Sequence, residues 1–114
     1  MAIIKRDKIE FSVVKGEGIS GTIKANVIGN TQGWENHTLR LFRLAAGGQT
    51  PFHQRDWEHV NYVTKGKGTL MIGEQVTELS LGDFAFVPPN TMHQLRNPND
   101  SDFEFICIVP NRGA

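Results

Sequence analysis

Two stretches decide the fold: GGQTPFHQRDWEHVNYVTKG, from Gly47 to Gly66, and GDFAFVPPNTMHQLRN, from Gly82 to Asn97. In both, short runs of β-branched and aromatic residues are separated by Gly, Pro or Asn, which favour tight turns. The segment 88–90 is the stiffest of these breaks, because proline cannot lie inside a central strand. Both stretches therefore predict β-hairpins rather than helices.

The same alternation of short strands and turn residues extends over the rest of the 114 residues. Strands are predicted at 9–14, 22–28, 38–44, 59–64, 69–72, 84–87, 93–96 and 103–109. No window carries a long 3.6-residue apolar period, so we expect little helix. The length fits one domain, and the strand spacing predicts an all-β sandwich or barrel.

Charge and cysteine content narrow the function classes. Twelve Lys and Arg residues balance twelve Asp and Glu residues, and no basic run occurs, which argues against nucleic acid or an anionic membrane surface as a partner. The single cysteine, Cys107, cannot form an internal disulfide. No apolar segment is long enough for a signal peptide or a membrane span, so a cytoplasmic protein is expected.

A glycine pattern near the N-terminus resembles a nucleotide-binding signature. Residues 16–21, GEGISG, fit G-x-G-x-x-G, but that signature needs a helix immediately afterwards to hold a pyrophosphate. Residues 22–28 predict a strand instead. The pattern is therefore interpreted as a turn between two strands, and no cofactor-binding residue is assigned to it.

Three of the four histidines fall inside the two deciding stretches. His37 begins a predicted strand and is interpreted as structural or solvated, whereas His53, His59 and His93 lie at regular spacings in the two hairpins. If the hairpins face each other across a closed barrel, their three imidazoles converge on one interior point. Three neutral imidazoles suit zinc, iron, copper, nickel or cobalt. The alternative is that each is an ordinary core or pocket residue.

The second stretch resembles the second motif of the cupin superfamily. It runs Gly82-x5-Pro88-x-Asn90-x2-His93-x3-Asn97, which agrees at every spacing. Asparagine replaces the usual last glycine, and it is the next best residue for a positive φ. The resemblance implies a small all-β cupin type-2, RmlC-like barrel (a jelly roll, or double-stranded β-helix) over residues 39–110. Residues 1–38 would add strands at the barrel edge and a dimer contact.

The first stretch departs from the first cupin motif at two ligand positions. It runs Gly47-x5-His53-x-Arg55-x3-His59-x6-Gly66. The usual glutamate ligand is His59, which is similar to a subgroup with a Trp-Glu-His stretch and an all-histidine metal site. The usual second histidine is Arg55, which has no lone pair to offer a metal. The resemblance thus implies three ligands: His53, His59 and His93.

The replacement by arginine leaves three alternatives open. Metal binding is lost, because a cation beside a dication is unfavourable without an intervening anion. Alternatively, Arg55 turns to solvent and a three-histidine site survives. In the third alternative, Arg55 stays inward and binds the carboxylate of a metal-bound substrate.

Other residues are expected to shape the pocket. Counting by twos from His59 and His93 places four residues on the inner face: Asn61, Val63, Thr91 and Leu95. Asn61, like Arg55, is a possible substrate contact, and its alternative is a structural hydrogen bond. An apolar rim is expected from Phe52, Trp57 and Met92, with core packing as the alternative. Cys107 is expected to be buried and inert, and Glu58 to point away from the site.

The cupin resemblance implies a divalent transition metal (Fe, Ni, Zn, Cu or Mn) and a small carboxylate, phenol or sugar-like substrate. Dioxygenase-type chemistry is favoured, because no acid–base pair stands out and no catalytic residue is assigned; isomerase or decarboxylase chemistry is possible. The alternative is a non-catalytic ligand-binding or sensor cupin in which Arg55 has weakened or abolished metal binding.

A homodimer is expected, paired through residues 3–14. Metal loss is expected below about pH 6, near the reference pKa of histidine.

Overall fold

Nine β-strands form the regular structure of the chain, and a computed structural model describes all of residues 1–114. The strands are β1 (Ser12–Val13), β2 (Ser20–Ile28), β3 (His37–Gln49), β4 (His59–Lys65), β5 (Lys67–Ile72), β6 (Gln75–Ser80), β7 (Phe84–Val87), β8 (His93–Arg96) and β9 (Phe103–Pro110). Three-residue 3-10 turns lie at Arg6–Lys8, Asn30–Gln32 and Asn111–Gly113. These turns are the helical segments of the chain, and none has the length or apolar character to cross a membrane.

The long strand β3 joins the two halves of an antiparallel barrel. It pairs with β2 on one side and with β9 on the other, and its last residue, Gln49, pairs with Arg96 of β8. One half has the order β1-β2-β3-β9-β4-β7, and the other runs from β3 through β8 and β5 to β6. The all-β barrel expected from the sequence is confirmed. The N-terminal strands are continuous with it through the pairing of β2 and β3.

Side chains from both halves fill the barrel interior. Phe103 and Phe105 of β9 are at most 1 % exposed, and they pack with buried Leu and Val side chains of the other strands. Burial of one such side chain stabilises the fold by about 1.5–3 kcal/mol. The Phe103 ring fits because position 68 is glycine, since a Cβ at Gly68 would lie 2.3 Å from that ring.

Two strands differ from the sequence-based expectation. β6 was not predicted, because five of its six side chains are exposed or half-buried and only Leu79 is buried. β3 continues through Gly47 and Gly48, where a break was expected. Gly47 adopts φ +76°, and its amide donates to the carbonyl of Asn97 at 2.8 Å, so this glycine bends the strand without ending it.

Two turn predictions are confirmed. The GEGISG segment leads directly into strand β2 rather than a helix. It therefore lacks the helix that a pyrophosphate site requires, and the nucleotide-binding interpretation is excluded. Asn90 has φ +59° and is the one residue other than glycine with positive φ. Asparagine therefore fills the position at which the cupin motif usually has glycine.

Candidate functional site

Backbone pairing brings the three predicted histidines together. His59 begins β4 and His93 begins β8. His53 lies in the loop before β4 and forms a β-bridge with His93, in which the two amides donate to the opposite carbonyls at 3.1 and 2.9 Å. The bridge fixes the loop carrying His53 to the strand carrying His93, so side chains 40 residues apart in sequence share one site.

The imidazole ring of His93 is close to the rings of both His53 and His59. The ring centroids of His59 and His93 lie 4.7 Å apart, and those of His53 and His93 lie 5.2 Å apart. Nδ1 of His93 lies 2.9 Å from the carbonyl oxygen of Thr91. A carbonyl only accepts, so Nδ1 carries the proton and Nε2 of His93 keeps its lone pair. The Nδ1 atoms of His53 and His59 are buried without a hydrogen-bond partner.

Burial keeps the three rings neutral. Desolvation lowers the pKa of His53 to about 4, helped by the positive charge of Arg55. It lowers the pKa of His59 to about 4 as well, helped by the neighbouring His93. Burial also lowers the pKa of His93, although the bond to Thr91 opposes it. At neutral pH all three imidazoles are therefore in the neutral form, which is the form that binds a metal.

The three imidazoles are suitable metal ligands by their chemistry, but they are not arranged around one common point. No group of three or more His, Cys, Asp or Glu side chains stands ready to hold a metal ion. The His93 ring is nevertheless within contact distance of both other rings, and a histidine ring turns about a broad torsion at low cost. Small ring rotations would be needed to aim three nitrogens at one ion. The orphaned Nδ1 atoms leave the rings of His53 and His59 without a hydrogen bond that opposes such rotation.

Arg55 lies beside the histidines and is accessible to solvent. Its side chain is exposed, and Nη1 donates to the carbonyl of Gln54 at 3.1 Å. Arg55 also lines the cavity beside the histidines.

The histidines open into a cavity of about 210 Å³ that carries further cations. Arg40 of β3 and Lys24 of β2 line it together with Trp57 and Cys107, and no Asp or Glu side chain does so. Sequence reasoning missed Lys24 and Arg40. Counting by twos back from the buried Leu44 would have placed Arg40 on the inner face of β3.

Arg40 is held by neutral groups. It is 9 % exposed, and its Nη2 donates to Sγ of Cys107 at 3.0 Å. The guanidinium carbon lies 5.0 Å from the centre of the Phe42 ring, and Nε has no hydrogen-bond partner. Cys107 is buried, as expected, and burial raises the pKa of its thiol.

The remaining predicted pocket residues divide into two groups. Trp57 and Leu95 line the cavity, whereas Phe52, Met92 and Asn61 do not. Asn61 is 2 % exposed, and its amide donates to the carbonyl of Ile106 at 3.2 Å. Asn61 thus makes one structural hydrogen bond through its amide nitrogen, whereas its Oδ1 is buried without a partner.

His37 lies away from the three other histidines. Its ring stacks on Trp34 with centroids 5.5 Å apart, and it does not line the cavity. Its structural interpretation agrees with this position.

Comparison with known proteins gives a consistent family. The family model described as "Cupin domain" matches residues 40–109. The 1-methylthio-D-xylulose 5-phosphate methylsulfurylase of Rhodospirillum rubrum is 31 % identical over 71 residues, which are 62 % of this chain. The chain spans 46 % of the length of that relative.

Solved structures show the same fold at lower identity. The polyketide cyclase RemF from Streptomyces resistomycificus superposes with a TM-score of 0.90 at 24 % identity, covering 96 % of this chain and 79 % of that one. A sugar phosphate isomerase of the cupin superfamily from Silicibacter pomeroyi gives 0.81 at 22 % identity, covering 96 % and 76 %. The neighbours of this barrel thus include proteins named as enzymes of several classes.

Proposed function

This chain belongs to the cupin family, and from that premise we propose that it is a metal-dependent enzyme whose ion is held by His53, His59 and His93. The observation that supports this proposal is the contact of the His93 ring with the rings of His53 and His59, all three neutral, at the wall of one cavity. Fe, Ni, Zn, Cu and Mn are the candidate ions. A ligand set of imidazoles without a carboxylate favours the softer ions over manganese.

The bound metal would supply Lewis-acid or oxygen-activating chemistry at its open positions. The protein contributes the orientation of the ligands and the shape of the cavity. The hydrogen bond from His93 to Thr91 fixes the tautomer that leaves Nε2 free. Trp57 and Arg55 contribute to the lining of the cavity.

The substrate is proposed to be a small organic molecule, because the cavity of about 210 Å³ admits only a small ligand. Related and similar proteins are named for a sugar phosphate, a polyketide and a predicted oxalate decarboxylase activity. We favour dioxygenase-type chemistry, since no carboxylate lines the cavity to act as a general base. Isomerisation and decarboxylation are the competing reaction classes.

Oxygen consumption tests the reaction class. The iron-loaded protein is incubated with catechol-like and diketone substrates, and oxygen uptake that depends on both metal and substrate is expected. The zinc- and nickel-loaded proteins, tested for isomerisation of sugar phosphates and decarboxylation of small acids, decide between the competing classes. No turnover with any of these metals would count against an enzyme.

A non-catalytic small-ligand-binding cupin is the second candidate. It is favoured by the positive charge around the cavity and by the absence of a ready-made donor set. The presence of a bound organic molecule and no stoichiometric metal in the purified protein would support it. Mass spectrometry of the native protein measures both quantities at once.

We propose a homodimer formed through the N-terminal segment. Strand β1 is an edge strand that pairs only with β2, and the side chains of Ile3 and Val13 are 69 % and 66 % exposed. Exposed apolar edges favour pairing with a second chain. Light scattering of the intact chain and of a Val13→Lys variant tests this arrangement, and a monomer at all concentrations would contradict it.

A further inference from the structure

The cavity carries positive charge that no protein carboxylate neutralises. Lys24, Arg40 and Arg55 line it, and none of them forms a salt bridge. The two carboxylates that do form salt bridges, Glu104 and Asp56, pair with arginines that do not line the cavity. A cation-lined, partly enclosed cavity concentrates anions.

Arg40 is the group that requires an explanation. Its side chain is about nine-tenths buried, and a buried charge without a counter-ion is unfavourable because it has lost its hydration. The groups that contact it are the thiol of Cys107, the Phe42 ring and, at 3.4 Å, the carbonyl oxygen of Gly113. Its Nε donor remains unused. The guanidinium therefore has donor capacity and charge that the protein does not satisfy.

Lys24 is a diagonal cross-strand neighbour of Arg40. Lys24 lies opposite Phe42 in the β2–β3 register, and Arg40 is two residues from Phe42 on the same face. Such diagonal neighbours lie roughly 7–8 Å apart, a distance that an oxyanion can bridge. Burial lowers the pKa of Lys24, and repulsion from Arg40 lowers it further. Two like charges in this position are stable together when an anion lies between them.

Trp57 adds a third unused donor. Its indole Nε1 is buried without a hydrogen-bond partner, and the side chain lines the same cavity. An indole N–H only donates, so it suits an acceptor oxygen of a ligand. Unused donors on three separate elements thus surround a cavity that has no acceptor of comparable charge.

We propose that Lys24 and Arg40 form an oxyanion-binding site, which takes the carboxylate or phosphate group of the small molecule that the histidine site acts on. The planar guanidinium of Arg40 can present two parallel donors to such a group, and Lys24 adds a point charge. Within each substrate class considered above, the site favours molecules that carry a carboxylate or phosphate group over their neutral counterparts. The description of this ligand as a substrate rests on the proposed function, whereas the anion site itself needs no metal.

The anion site also explains how Arg40 and Lys24 could lie next to a bound metal ion. A dication next to Arg40 and Lys24 would be repelled in an empty cavity. A bound carboxylate or phosphate neutralises the cations first, so anion and metal binding should strengthen each other. The coupling is reciprocal by thermodynamic necessity.

Calorimetry on EDTA-treated, metal-free protein tests the anion site. The probes are inorganic phosphate and glycolate, with glycerol as the neutral probe and chloride holding the ionic strength constant. The intact protein should bind one of the two anions saturably and should not bind glycerol. The anion that binds more tightly identifies the group as a phosphate or a carboxylate.

Variants separate the site from general surface charge. Lys24→Met and Arg40→Met should each weaken anion binding at least tenfold, while Arg40→Lys should fall between Arg40→Met and the intact chain. Lys65→Met is the matched control, because Lys65 is an exposed lysine at the end of β4 remote from His59. It should bind the anion as the intact chain does.

Thermal unfolding without anion distinguishes a binding role from a structural one. If Lys24 and Arg40 serve a ligand, Lys24→Met should melt at the same or a higher temperature than the intact chain, because a repulsion has been removed. Unchanged anion affinity in Lys24→Met, or no saturable anion binding by the intact chain, would overturn the proposal. Because the test uses metal-free protein, its outcome is independent of whether the histidines bind a metal.

Discussion

The backbone amide of Asn90 donates a hydrogen bond to the carbonyl oxygen of Arg55 at 2.6 Å. This bond connects the turn that precedes His93 to the loop between His53 and His59. Together with the bridge between His53 and His93, it attaches the two histidine-bearing segments to each other at the backbone. The geometry of the site therefore depends on a residue that is not itself a ligand.

Replacement of Asn90 should measure that dependence. Asn90 has φ +59°, so Asn90→Val should destabilise the protein by about 1–2 kcal/mol, the cost of left-handed backbone for a residue with a branched Cβ. Asn90→Gly is the matched control and should keep its stability. Urea unfolding gives both values, and equal stability of Asn90→Val and the intact chain would contradict this account of the turn.

Conversion of Arg55 to histidine should strengthen metal binding. Arg55→His supplies a fourth imidazole at the position where the cupin motif usually has a ligand and removes a cation from beside the histidines. We expect at least a tenfold increase in zinc affinity, measured by competition with a chromogenic chelator. Arg55→Met removes the charge without adding a donor, so it should give a smaller increase. Equal affinities of the two variants would show that the new imidazole does not coordinate.

The pH at which metal is released follows from the histidine pKa values. Protons displace a metal only as the free ligands become protonated, and burial lowers the pKa of His53 and His59 to about 4. Metal loss should therefore begin well below the value of about pH 6 that the reference pKa suggests. Metal content after dialysis at a series of pH values tests this, and release of most of the metal between pH 6 and pH 5 would contradict it.

Glu104 should make the protein sensitive to acid. It is 1 % exposed and accepts hydrogen bonds from Arg6, Arg43 and Thr64. Burial acts to raise the pKa of Glu104, but these hydrogen bonds outweigh it and lower the pKa to about 2. Because the folded pKa is below that of the unfolded chain, the stabilisation is complete above about pH 4.5 and is lost as the pH falls toward 2.

Glu104→Gln isolates that contribution. At pH 7 the variant should be less stable by about 1–3 kcal/mol, the range for hydrogen bonds to a charged group whose partners can return to water. The loss should shrink as the pH is lowered from 4.5 to 2, because the native carboxylate then becomes protonated as well. A stability difference that does not change with pH would assign the effect to packing rather than to charge.

The sequence predicted the barrel and the grouping of the histidines, because turn residues and period-2 alternation are local signals. It did not predict β6, whose mostly exposed side chains carry no alternation. It also did not predict the cationic wall of the cavity. Lys24 and Arg40 occupy positions where a charged side chain normally faces solvent. Counting by twos places Arg40 on the inner face of β3, but that Lys24 joins it at one cavity is visible only in the folded barrel.

Asn61 illustrates the limit of counting by twos. The alternation correctly places it on the inner face of β4, at 2 % exposure. Which inner-face residues reach the cavity depends on the neighbouring strand, and Asn61 donates instead to the carbonyl of Ile106 in β9. Whether Asn61 reaches a substrate therefore does not follow from the sequence of β4 alone.

Elemental analysis of the purified protein and of single histidine variants tests the central claim most directly. We expect about one transition-metal ion per chain, retained in His37→Ala and lost in His53→Ala, His59→Ala and His93→Ala. His37→Ala is the matched control, because His37 lies outside the cavity. If the three variants keep the metal, or if the intact chain takes up none when dialysed against iron, nickel, zinc, copper or manganese, the metal centre proposed here does not exist.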